Sequence, residues 1–314
     1  MRKGSPIVNQ TRKGSTWRDY KKNKHLLLLL VPALVWYAIF AYGPMYGIQL
    51  AFKDFYIREG IWNSPWVGLK HFEYMFTASP HFWMIMKNTI IISFYHIVFG
   101  FPAPIILALL FNEIRFTFFK RIAQSISYLP HFLSWIVIGG IMLTLLSPST
   151  GVVNYILELV GIDPIYFLGS DKYFRFTLVI SAIWKEIGWG TIIYLATIAS
   201  IDSQMYEAAV IDGANRWKQT LHITIPSMLP VISILLILRA GGVLDAGFDQ
   251  ILTLYSPAVY GTADILDTYV YRIGLEEFQF SLTTAVGLFK NVVGLMLVLT
   301  TNIIVKKMGQ EGLY

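Results

Sequence analysis

The chain contains no cysteine, which removes disulfides, thiolate zinc sites, iron–sulfur clusters and cysteine nucleophiles together. It is also poor in charge. Asp, Glu, Lys and Arg make up 14% of its 314 residues, where a soluble domain carries roughly 25%. With 55% hydrophobic residues, too little charge remains to cover a soluble globular enzyme. No GxxxxGK[ST] run occurs, so the chain has no phosphate-cradling loop of that kind. The six histidines (His25, His71, His81, His96, His131 and His222) are scattered and form no HExxH pair to hold a metal on one helical face. The sequence also has no low-complexity tract and no clear internal repeat.

What the chain has is long apolar runs. A bilayer core of ~30 Å needs about 20 apolar residues in a helix that rises ~1.5 Å per residue. Six segments satisfy this: 26–52, 84–111, 128–146, 174–199, 228–248 and 281–305. The expected fold class is therefore all-α, a polytopic membrane protein with six transmembrane helices. The first run is too long for a cleaved signal peptide and no small-residue cleavage site follows it, so it reads as a signal anchor. Pro32 near its start and Gly43-Pro44 near its end predict a kink or a broken outer turn.

A net charge of +6 invites a nucleic-acid reading, but 8 of the 25 Lys and Arg lie before residue 25. In a hydrophobic chain such a cluster meets anionic lipid and sets orientation. Membrane lipid is thus the expected contact, and no nucleic acid. The basic segment 1–25, the connections after the second and fourth spans, and the tail 306–314 together carry 15 Lys and Arg. The three alternate loops, 53–83, 147–173 and 249–280, carry 5. Basic loops favour the cytoplasm, which places both termini and the connection 202–226 there. The opposite face is marked by aromatics in the first outer loop, among them Trp62, Trp66, Phe72, Tyr74, Phe76, Phe82 and Trp83. Such a cluster is a membrane-interface belt or a docking surface. The last outer loop is acidic and mixed polar.

The connection 202–226 is long for a link between spans, and a partner protein is the natural reason for it. It reads as two short helices. Asp202 or Ser203 caps the first, Gly213 permits a tight bend, and Pro226 restarts the chain at the head of the fifth span. Ala208 and Ala209 are small enough to press against another surface, with Glu207 and Asp212 at the rim.

Glu207-Ala208-Ala209, Gly213 and Ile223-x-Ile225-Pro226 resemble the EAA motif of ATP-binding-cassette importer permeases. The family form ends I-x-L-P, and Ile225 stands in place of its Leu. The resemblance implies that Glu207, Ala208, Ala209, Asp212, Gly213, Ile223 and Pro226 form a coupling helix and its surroundings, docked on a cytoplasmic ATPase. It extends over residues 84–305, which look like the five-helix MetI-like core of type I importers, with the first span (26–52) outside it. The phrases Gly43-Pro-Met-Tyr-Gly-Ile-Gln-Leu-Ala-Phe-Lys-Asp54, Ser256-Pro-Ala-Val-Tyr260 and Asp267-Thr-Tyr-Val-Tyr-Arg272 look like one branch of the carbohydrate importers. That branch takes up oligosaccharides cut from plant or algal polysaccharides, including acidic pectin- and alginate-type fragments. The resemblance therefore implies a permease subunit in a bacterial plasma membrane, not an enzyme. It has no cofactor of its own. ATP and Mg bind a separate ATPase, present in two copies. A related second permease completes a heterodimer, and an extracytoplasmic solute-binding lipoprotein delivers the oligosaccharide. An ion-coupled secondary sugar carrier is the alternative, and it would call for buried carboxylate or histidine relays.

Candidate substrate contacts are ionisable and aromatic residues inside the spans, where charge is expensive. Arg239 and Asp245 flank Gly241-Gly242, and at six residues apart they point to different faces of an ideal helix. Arg239 reads either as a lumen-facing guanidinium for a sugar hydroxyl or carboxylate, or as an interhelical pair or snorkelled terminus. Lys185 and Glu186, between Trp184 and Trp189, read as a sugar-stacking group or as an internal salt bridge with packing aromatics. Tyr128, His131 and Trp135 share one face of the third predicted span, as sugar contacts or as belt residues and a structural histidine. Lys290-Asn291 reads as packing.

Overall fold

The computed structural model describes residues 24–309 and Gly312. Residues 1–23 of the basic N-terminal segment and 310, 311, 313 and 314 of the tail lie outside the described residues. The chain divides into two units, Met1–Gln49 and Leu50–Tyr314.

The first unit holds most of helix α1 (Leu27–Phe52). Leu28, Leu29, Leu34, Ile39 and Phe40 are all exposed on it, as on a helix whose solvent is lipid. At Tyr37 its winding loosens into a π-helical turn, and from Gly43 it tightens into a 3₁₀ helix. The irregularity expected at Gly43-Pro44 is thus a change of winding beside a residue that has no N–H to donate.

In the second unit, α2 (Phe82–Glu113) is followed by α3 (Thr117–Phe132) and α4 (Trp135–Leu145). The long α5 (Asp171–Ala199) leads through α6 (Ser203–Ile211) to α7 (Arg216–Gly241). Two short helices, α8 (Phe248–Leu254) and α9 (Leu266–Tyr271), precede α10 (Phe280–Lys307). Among the described residues, α1, α2, α5, α7 and α10 are long and apolar enough to cross a membrane, and α3 with α4 forms a sixth span if the bent pair counts as one.

The structure departs from the sequence reading at two spans. The third, expected as one helix over 128–146, is the second arm of a pair bent by 104°. Pro130 lies in a 3₁₀ turn, Leu133 is extended, and the Ser134 hydroxyl accepts the amide of Val137 at 3.3 Å to start α4. Behind the bend, Lys185 Nζ donates to the carbonyls of His131 (2.7 Å) and Leu133 (2.6 Å). The backbones cross closely there, because a Cβ on Gly188 would sit 2.0 Å from the Ser127 carbonyl oxygen.

The fifth span, expected over 228–248, starts at Arg216 and ends at Gly241. A 3₁₀ turn at Val243–Asp245 and left-handed backbone at Ala246 and Gly247 follow. Asp245 is therefore off the helix that carries Arg239, and the ideal-helix angle between them does not apply. The segment expected as a polar outer loop folds into the bundle. Ile251, Leu254, Val259 and Ile265 pack with Phe174 and Leu178, while Leu266 and Tyr269 pack with Phe82 and Val286. Its buried polar groups are satisfied inside. Gln250 donates to the Leu178 carbonyl (2.7 Å) and Ser181 (2.8 Å), and Asn88 donates to the carbonyls of Gly261 and Asp264 (both 3.1 Å).

Candidate functional site

Where α7 gives way to irregular chain, the helices leave a cavity of about 1170 Å³ walled by α2, α5, α7, α9 and the 242–250 segment. Its size suits a sugar chain rather than an ion, since small-ligand pockets run roughly 300–1,000 Å³. Ring faces line it: Phe101 from α2, Trp135 from α4, Trp189 from α5, and Phe248 with Tyr271 from the folded-in segment. The rings of Phe248 and Tyr271 lie 6.0 Å apart. Flat apolar faces with a few placed polar groups suit saccharides, which stack through C–H bonds and hydrogen-bond through hydroxyls.

Trp135, Glu186, Trp189, Arg239 and Asp245 from the sequence reading line this cavity, whereas Tyr128, His131, Trp184 and Lys185 do not. Trp184 is exposed elsewhere on α5. The stripe read through Tyr128, His131 and Trp135 is cut by the bend, which turns the chain between His131 and Trp135. His131 instead supports the wall from behind. Its Nδ1 lies 2.9 Å from Glu186 Oε2, and its ring stacks on Trp189 at 4.6 Å with an interplanar angle of 1°. Lys185 has no carboxylate within ion-pair distance among the described residues and does not line the cavity. It is buried, holds the two carbonyls at the bend, and lies 5.7 Å from the Trp135 ring centre.

Three segments meet at Lys290, which sequence assigned to packing. Its ammonium contacts both oxygens of Asp267 (2.6 and 2.7 Å) and one of Asp245 (2.6 Å). Burial pushes the Asp267 carboxyl above the usual carboxylate range, against the opposing pull of Lys290. Arg239 also lines the cavity and has no carboxylate within ion-pair distance among the described residues. His96, Phe248, Asp249 and Tyr271 are cavity residues that the sequence reading missed. A histidine inside a predicted span was a usable signal for the first, but nothing in the chain shows that the other three fold inward. Among the described residues no cluster of three or more His, Asp or Glu is placed to hold a metal.

The second candidate site is the helical hairpin at 202–226. Asp202 is the residue that caps α6, its carboxylate accepting the Gln204 amide at 2.9 Å. At the other end Gly213 takes φ +75°, and the Ala214 amide reaches back to the Ala209 carbonyl at 2.8 Å. This left-handed stop satisfies carbonyls that the helix end leaves open. Asn215 then caps α7 through the Lys218 amide at 2.9 Å. Pro226 stands in the first turn of the α-helical stretch Ile225–Gly241, which α7 enters without a break from a π-helical turn at Thr220–Thr224. Ile223 is buried, and Tyr206 bonds Thr224 at 2.9 Å, so the hairpin is held to the root of α7.

Its outer side is bare. Met205, Val210, Ile211 and Trp217 are exposed, with Ile211 at 86%. Glu207 and Ala208 are exposed beside them. Glu207 also borders a groove of about 570 Å³ shared with Glu113, Tyr206 and Arg216.

Residues 100–310 match the family model described as "Binding-protein-dependent transport system inner membrane component". Protein LplB of Bacillus subtilis (strain 168) is 42% identical over 314 residues, covering 100% of this chain and 98% of that protein. The polygalacturonan/rhamnogalacturonan transport system permease protein YteP of the same organism is 44% identical over 293 residues, 93% of this chain and 91% of that one. The fold also matches a crystal structure of a bacterial alginate ABC transporter in complex with alginate pentasaccharide-bound periplasmic protein. There the TM-score is 0.88 with 41% identity, over 95% of this chain and 99% of that chain.

Proposed function

This chain belongs to the inner-membrane components of binding-protein-dependent transport systems, and from that premise we propose that it is the permease subunit of an ATP-driven importer of oligosaccharides. It makes and breaks no bond. The reading is carried by the intramembrane cavity of about 1170 Å³, lined by Trp135, Trp189, Phe248 and Tyr271, in a chain similar to permeases for polygalacturonan/rhamnogalacturonan and alginate. Fragments of plant or algal polysaccharide are the substrate class this supports. The other wall of the path comes from a related second permease, and the solute arrives on an extracytoplasmic binding protein, as in the alginate complex with its periplasmic protein. The chain sits in the bacterial cytoplasmic membrane with both termini inside.

The hairpin is the coupling element in this reading. Its exposed Val210, Ile211 and Trp217 form an apolar patch on a polar loop, which fits docking on one copy of a cytoplasmic ATPase that binds ATP and Mg. Ala208 lets the surfaces approach, while Glu207 and Asp212 fix the rim. Tyr206–Thr224 and the unbroken α7 transmit movement of the hairpin to Arg239 at the cavity. An ion-coupled carrier is not favoured, because the family match and the similar permeases are components of binding-protein-dependent and ABC transport systems.

The test is ATP hydrolysis by a reconstituted complex with co-expressed partner permease, ATPase and binding protein, on a panel of neutral and acidic oligosaccharides. One saccharide should stimulate hydrolysis, and Glu207→Ala with Gly213→Pro should abolish that stimulation. Saccharide uptake by the purified chain alone, without ATPase, would sink the reading.

A further inference from the structure

The cavity wall carries four carboxylates, Glu186, Asp245, Asp249 and Asp267, but Arg239 is its one Lys or Arg among the described residues. The nearby Lys290 is already held by Asp245 and Asp267 at 2.6–2.7 Å. Arg239 has no such partner, although it ends α7 between membrane-spanning helices. Arg239 is exposed in this structure, and an ionisable residue within a membrane-spanning helix is by default a functional one. The α7 carbonyl end favours a cation nearby but leaves its forked donors unfilled.

A second observation points to the same place. His96 lines the cavity in a π-helical turn, is 93% buried by its 7% exposure, and its Nε2 has neither solvent nor a hydrogen-bond partner. It lines the same cavity as Arg239 and borders the left-handed turn that follows α7, where a Cβ on Gly247 would sit 3.5 Å from its ring. Orphaned buried polar atoms and π-helical turns both concentrate at functional sites.

We infer that Arg239, in the cavity that His96 also lines, is a subsite for a single uronate carboxylate of the passing saccharide. This rests on the oligosaccharide reading above and narrows it to acidic chains. A carboxylate accepts two parallel bonds from the guanidinium fork, a geometry that a hydroxyl cannot match. The surrounding carboxylates repel a second anionic group, so this wall registers one charged sugar at a time. The neighbouring rings then stack on the pyranose faces.

The experiment measures ATP-driven uptake into proteoliposomes by the full complex. The probes are trigalacturonate, a trisaccharide retaining one carboxylate, and the fully carboxyl-reduced trisaccharide. With the native chain, removing all three carboxylates should raise KM about tenfold or more, the scale of losing hydrogen bonds to a charged group; keeping one should restore most of it. Arg239→Gln should abolish the difference, and Arg239→Lys should keep part of it. The binding protein is common to all complexes, so a changed ratio between variants reports this chain. Equal KM for acidic and reduced probes in the native complex overturns the subsite while leaving oligosaccharide import standing. So does undiminished discrimination in Arg239→Gln. If that variant does not assemble, Arg239→Lys decides, and an unchanged ratio overturns the subsite. Failure of the native complex to move any saccharide overturns the import reading and the subsite with it.

Discussion

Lys185 shows how a charge inside the membrane can be structural. Its ammonium fills the open carbonyls of His131 and Leu133 where α3 stops, so it acts as a side-chain cap on a broken span. Replacing it with Met removes the donor and leaves those acceptors in a dry crossing. Thermal inactivation of the solubilised complex should move to lower temperature, with a loss of about 1–3 kcal/mol for unsatisfied buried groups. Lys185→Gln, which retains a donor, should lose less; equal losses would show that the ammonium does not hold the bend. The sequence marks Lys185 and Glu186 as charges inside a span but does not separate their placements. One faces the His131 and Leu133 carbonyls at the bend, the other lines the cavity, and only the placement of that bend against α5 decides which. Arg239 and Asp245 stand out as the two charges of the predicted span 228–248, and both line the cavity.

At the scale of elements, hydropathy located the long helices well and failed where helices break. The 128–146 run is continuously apolar, yet Pro130 and Ser134 terminate one helix and start another inside it. Apolar composition reports what solvent a segment wants, but it is blind to the direction of the chain within that solvent. The same limit hid the inward folding of 248–271, whose Gln250, Asp264 and Thr268 looked polar and exposed but are buried with partners. The hairpin was read almost completely, because caps and turn glycines are local signals. Gly213 tests that locality. At φ +75°, Gly213→Val puts a β-branched side chain into left-handed backbone, costing about 1–2 kcal/mol. The hairpin should then misalign, lowering saccharide-stimulated ATP hydrolysis while Gly213→Asn retains more of it.

The three-way contact of Asp245, Lys290 and Asp267 ties the 242–247 break and α9 to α10. Lys290→Met would leave two like charges near each other with Asp267 partly buried. A loss on the order of 1–3 kcal/mol is expected, discounted because Asp245 is well exposed. Combining it with Asp245→Asn and Asp267→Asn should recover most of that stability, measured as the inactivation midpoint. No recovery would mean that Lys290 acts through packing of its stem rather than through charge.

For the whole molecule, the basic residues and the helices must agree on one arrangement. An even number of crossings puts both termini on the same side, and that requires α3 with α4 to cross as a single broken span. If the pair were re-entrant, α5 and every later helix would run the other way, and the hairpin would lie on the side opposite that of the present assignment. The excess of Lys and Arg in the segments assigned to the cytoplasm opposes that inversion. The natural absence of cysteine makes this directly measurable, since each introduced thiol is the chain's only one. When the permease is expressed without its ATPase, Ile211→Cys on the hairpin should react with a membrane-impermeant maleimide in inside-out vesicles and stay unlabelled in intact right-side-out cells. Trp62→Cys in the first outer loop should do the reverse, because both native side chains are exposed. Labelling of both positions from the same side would mean that the bent pair does not cross. The hairpin could then no longer meet a cytoplasmic ATPase.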